Sequence, residues 1–143
     1  MKITPAVFDA YLKCPTKCWL RATGESSDEN PYAEWVKTQN VEYREIETAR
    51  LVAATSPDEV SLTPNIENAK AATWHLTRSL TIQSKVESHT AESEIHMVER
   101  LPAVGRGKAA QFIPIRFVST NKLSKDDKLL SAFDAAVALR QVE

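Results

Sequence analysis

Glu92, Glu94 and His96 occupy every second position of the stretch Glu92-Ser-Glu-Ile-His96, a spacing that sets all three on one face of an extended strand. Two carboxylates and an imidazole so placed could ligate Mg²⁺ or Mn²⁺. A strand packed on one side shows the same alternation toward solvent, and a plain polar face is the simpler reading. Cys14 and Cys18 are the only cysteines of the chain. On a continuous helix they would share a face and supply half of a tetrahedral metal site, but no further ligands stand nearby, so small core or near-core thiols are expected. Lys13, Lys17 and Arg21 repeat at the same interval and form a candidate basic ridge for phosphates, with an ordinary solvated face as the competing reading. His75 and His89 have no such partners in sequence.

The elements that must position these residues are legible from period and punctuation. Thr4-Pro5 is a cap followed by a proline at the first helical position, and Val7, Phe8, Tyr11 and Leu12 make one apolar stripe over a helix from about Pro5 to Lys13. Pro15 ends it and starts a second short helix over Thr16–Arg21, with Cys18, Trp19 and Leu20 inward. Asn30-Pro31 repeats the signal before a long surface helix reaching about Ala54, and Thr63-Pro64 predicts another over Asn65–Arg78. Trp19, Trp35 and Trp74 each fall within an apolar stripe and read as core anchors.

After Arg78 the period changes from helical to alternating. Leu80, Ile82 and Val86, then Ile95, Met97 and Leu101, predict two antiparallel strands either side of a polar stretch, Glu87–Ser93. Gln111–Ser119 predicts a third strand, with Pro114 marking an edge or a bulge. This strand should pair with the one holding Ile95 and Met97, with the helices of the first 78 residues to one side. Ser124 with Asp127 is a capping-box-like start to a last helix bearing Leu129, Leu130, Phe133, Val137 and Leu139. The fold class is α+β: a mainly helical part (1–78), then a small mixed or antiparallel sheet of about three strands and a final helix (79–143), in one domain.

Composition bounds the function. With 43% hydrophobic and 26% charged residues, and only 3 glycines, neither a disordered tail nor a glycine-rich phosphate loop is indicated. No run approaches a membrane span and no secretory signal opens the chain, so a cytoplasmic protein with reduced thiols and no membrane partner is expected. Net charge is −1. Residues 1–100 carry 11 basic and 15 acidic side chains against 7 and 4 in residues 101–143, hence −4 and +3, which is compatible with a local basic strip without announcing one.

The segment Thr4-Pro-Ala-Val-Phe-Asp-Ala-Tyr-Leu-Lys-Cys-Pro-Thr-Lys-Cys-Trp-Leu20 resembles the opening of RecB-like nucleases of the PD-(D/E)XK superfamily, the CRISPR-associated ones included. Gln111–Val118 followed by Asp127–Ala135 is similar to the same group's core strand and following helix. The resemblance implies a site in which an Asp and a Glu on adjacent strands hold Mg²⁺ and a Lys activates water. Those positions fall on His96, Arg116 and Val118, with Glu94 and Glu99 as weaker alternative carboxylates. The resemblance with this departure implies a catalytically inactive or incomplete nuclease-fold protein that binds DNA or serves DNA-processing assemblies. Lys13, Lys17 and Arg21 are its candidate nucleic-acid contacts, and a protein supplying the missing part of a nuclease is a second expected partner. A protein-interaction module without nucleic-acid binding is the alternative, and an active nuclease using Glu92, Glu94 or Glu99 the outsider. No cofactor is expected, Mg²⁺ or Mn²⁺ entering only with that outsider, and no iron–sulfur cluster, since no cysteine follows Cys18.

Overall fold

Thr4 accepts the Val7 N–H and Pro5 fills the first helical position, so α1 spans Pro5–Lys13 in the computed structural model, which describes residues 1–25, 30–62, 73–105 and 110–142. Pro15 cannot continue that helix. The chain turns extended at Cys14 (φ −166°) and restarts as α2, Pro15–Ala22. Asn30 accepts the N–H groups of Tyr32 and Ala33 at the head of α3, Pro31–Ala53. At the other end, Ser124 and Asp127 satisfy each other's backbone amides and launch α4, Lys125–Val142.

The sheet is mixed and has five strands, not about three. Two are too short for any alternation to reveal: β1, Lys2–Ile3, and β2, Val60–Ser61. The others are β3 (Leu76–Val86), β4 (His89–Leu101) and β5 (Gln111–Ile115). β3 and β4 form the expected antiparallel pair. Their turn is only Glu87-Ser88, Glu87 taking φ 54°, so the polar residues 89–93 belong to the strand and not to a loop. β5 pairs with β4 as predicted, Ile115 opposite Met97 and Ile113 opposite Glu99. Pro114 is tolerated there because, among the described residues, β5 has β4 as its only partner. The strand stops at Ile115, four residues short of the expected end. The helix predicted over 65–78 meets β3 instead at Leu76–Arg78, while residues 65–72 lie outside the described ones.

Adjacent residues of a strand point to opposite faces. Ser93 of β4 bonds Asp134 of α4, and its neighbour Glu94 bonds Arg44 of α3. Helices therefore cover both faces of the sheet, which corrects the expectation that the first helices lie to one side. α1 joins α4 through the stacked rings of Phe8 and Phe133, 5.0 Å apart. Ile82, Ala91, Ile95, Val98 and Val137 form the core, with Trp74 and Phe112 packed against it. Trp74 is thus an anchor, but Trp19 and Trp35 are 61% and 58% exposed, contrary to the reading of their stripes. No helix of the described residues is long and apolar enough to cross a membrane.

Candidate anion-binding site

β4 is long enough to take two different partners along one edge. β1 pairs with its start at Thr90–Ala91 and β5 with its end from Met97 onward. Between them the edge at residues 92–96 carries no strand pairing among the described residues. The chain that leaves β5 at Arg116 closes this gap with side chains. The Phe117 N–H donates to His96 Nδ1 at 3.0 Å, and the two rings stack with centroids 6.0 Å apart.

Arg116 does not reach toward solvent. Its guanidinium grips Asp134 in a fork, Nε and one terminal nitrogen each 2.8 Å from a carboxylate oxygen. The Asp134 side chain is 1% exposed and that of Arg116 14%. Ser93 donates to the same carboxylate, whose charge is thereby met by a cation and a hydroxyl, as burial requires. Asp134 was not among the sequence candidates. Its signal is an acid standing within the α4 stripe of Leu130, Phe133 and Val137, where an apolar residue belongs.

His96, Arg116 and the residues after Arg116 are therefore brought together, with a committed ion pair and an accepting imidazole at that point. Burial first, and the charges of Arg116 and Arg44 second, push the His96 imidazole down to a pKa of about 4. The ring is neutral at pH 7, and with Nδ1 accepting, its proton sits on Nε2. Val118 is half-buried and offers no polar group.

On the α3 side, His96 lines a pocket of about 90 Å³ together with Arg44, Glu45, Thr48, Arg78 and Ser79. Ser79 faces His96 across the β3–β4 ladder, where the regular pairing skips one step between Arg78 and Leu80. It takes φ 44°, a left-handed conformation costly for a residue that is not glycine, in the wall of the pocket. Arg44 is 3.3 Å from Glu94 across the rim. Arg78 makes no ion pair within the described residues, and the residues that line the pocket carry two guanidinium groups, two hydroxyls, an imidazole and one carboxylate, that of Glu45.

The other candidates are dispersed. Glu92 is held by Lys2 at 2.8 Å, which with the Gln83 amide keeps its carboxyl below the usual range. Glu99 lies 3.3 Å from His75. Each alternative carboxylate thus faces a basic group from another element, and no cluster of three or more potential metal ligands forms among the described residues. The ridge of Lys13, Lys17 and Arg21 is broken at Cys14. Lys13 ends α1, paired with Asp9 at 2.9 Å, while Arg21 braces α2 to α1 by donating to the Ala6 carbonyl. Lys17 and Arg21 remain neighbours on α2. Cys14 is exposed and Cys18 half-buried, so the pair is not the shared buried face expected of one helix. No protein-family model, no curated protein and no solved structure matches the chain.

Proposed function

We propose that this chain is a non-cleaving nuclease-fold protein that binds the backbone of DNA, one phosphate seating in the pocket between α3 and the sheet. The reading rests on the pocket: Arg44 and Arg78 supply charge, while Ser79, Thr48 and the His96 Nε2–H supply neutral donors around a concavity of phosphate size. The absence of cleavage follows from ligand chemistry at the positions that the RecB-like resemblance marks. A guanidinium, a neutral imidazole and an isopropyl group offer a hard dication one nitrogen and no oxygen. Asp134, the nearby carboxylate that could have served, is committed to Arg116 and Ser93.

The test is binding of a labelled DNA duplex and of a single strand, measured across a salt series. Affinity should fall with added salt, and the log–log slope should shrink by about 1 when Arg78→Ala removes the phosphate contact. Lys17→Ala with Arg21→Ala, on α2, should change it less. Absence of salt-dependent binding in the unmodified chain would overturn the reading.

A further inference from the structure

α3 carries four of its large apolar residues away from the sheet. At 100° per residue, Arg44, Thr48 and Leu51 share the face turned to β4, where Thr48 is buried and Arg44 meets Glu94. Tyr32, Trp35, Tyr43 and Ile46 fall within about 80° of one another on nearly the opposite face. There they are 70%, 58%, 36% and 65% exposed. The rings of Tyr32 and Trp35 stack at 5.9 Å, so the start of this stripe is already ordered.

We propose that this stripe is a self-association surface, which a second copy of the chain covers with its own α3 in antiparallel orientation about a twofold axis. The pattern is self-complementary. Stripe positions 32, 36, 39, 43, 46 and 50 are symmetric about position 41. Reversal sets Gln39 opposite Tyr43, Val36 opposite Ile46, Trp35 opposite Glu47, and Tyr32 opposite Arg50. The last juxtaposition places the one stripe cation over an aromatic face, a favourable contact in each of the two symmetric copies. Neither chain opposes this by bulk repulsion, since the net charge is −1.

Area agrees. At their fractional exposures the four large side chains present roughly 400–500 Å² per copy, given 150–250 Å² for a whole aromatic. That lies within the range of the largest apolar patch of an ordinary monomer. Doubled by symmetry, with Gln39 and Arg50 within the stripe and Glu42 and Glu47 beside it, it reaches the lower end of specific interfaces at roughly 1,200 Å². Dissociation in the micromolar range suits a contact of this size.

The experiment is sedimentation of the whole chain over a concentration series, with pulsed electron resonance on a spin-labelled cysteine introduced at Lys37, off the stripe, or at Ala53 in a Cys14→Ser/Cys18→Ser background. A reversible dimer is expected, weakened about thirtyfold or more by Trp35→Ala or Ile46→Glu, as for a central anchor. Both substitutions lie on exposed positions and should leave the circular dichroism unchanged. For a symmetric antiparallel pair centred near position 41, the axial offset is about 12 Å between labels at 37 and about 36 Å at 53. A monomer at roughly 200 µM, well above the affinity such an interface should have, would overturn the proposal. So would a dimer unaffected by both substitutions, or one in which the 37–37 distance exceeds the 53–53 distance.

Discussion

Asp134→Ala should be among the most damaging single substitutions in this protein. It removes the carboxylate that receives both nitrogens of Arg116 and the Ser93 hydroxyl. The Arg116 side chain, 14% exposed, cannot regain full hydration without moving the segment that follows β5. Removing one partner of a buried ion pair costs about 3–5 kcal/mol, a large part of a total stability of about 5–15 kcal/mol. For a chain of this length the midpoint should fall by roughly 10–15 °C. Urea unfolding followed by tryptophan fluorescence reads the loss, because Trp74 packs on the core beside Phe112. Arg116→Met combined with Asp134→Leu exchanges the pair for apolar groups and should recover to within about 1–2 kcal/mol of the original stability. A loss under about 1 kcal/mol in Asp134→Ala would mean that water screens the pair as it does surface bridges, and the buried-pair reasoning would fall.

His96 should make stability fall in mild acid. Its folded pKa of about 4 lies below the ordinary value, so the unfolded chain binds the extra proton between about pH 6.5 and 4; stability is complete above that window and declines through it. Discounted for partial exposure, the decline is on the order of 2 kcal/mol, and His96→Gln should flatten it in urea midpoints taken at about pH 5 and pH 7.5. Cys14, whose thiol is held below its usual range by the amides of Lys17 and Thr16, should react with iodoacetamide faster than Cys18, as peptide mapping after brief labelling would reveal. Glu45→Gln, which removes the acid opposing the pocket, should tighten DNA binding severalfold at low salt and little at high salt; an unchanged affinity would argue that no phosphate enters. Mg²⁺ or Mn²⁺ should not activate DNA cleavage, and cleavage that vanished on changing Glu94 and Glu99 to Gln would transfer the reaction to those carboxylates.

Element starts were legible because their signals are local. Thr4-Pro5, Asn30-Pro31 and Ser124 with Asp127 each satisfy amides within three residues, and no distant contact can override them. The pairing of β5 with β4 was legible from alternation. What failed was facing. The apolar residues of α3 are enough to draw a helix, but which side meets the sheet is decided by Arg44 and Thr48, polar residues that a hydrophobic stripe ignores. Trp19 and Trp35 were misplaced for the same reason. β1 and β2, two residues each, are strands only because β4 and β3 offer an edge to them, which no local period records.

Sequence reasoning named His96 and Arg116 and missed Asp134. The resemblance picked out His96 and Arg116, which lie together, but a search for metal ligands looks for convergent acids and passes over the acid that a cation already holds. Asp134 is that acid, and its commitment decides the charge of the whole region. Arg116 is neutralised by Asp134, and Arg44 is shared with Glu94. Glu45 opposes one more positive charge at the pocket, while His96 contributes none near neutral pH. Arg44, Arg78, Glu45 and Glu94 together sum to zero charge, and Arg78 is the pocket guanidinium without an ion pair among the described residues. A site with this balance can hold one phosphate through a single strong contact and several neutral donors, so its binding should be weak, salt-dependent and indifferent to base sequence. Hydrolysis would require the opposite arrangement, a carboxylate released from its guanidinium and facing open space. Asp134 is not free to take that part while Arg116 and Ser93 hold both of its oxygens.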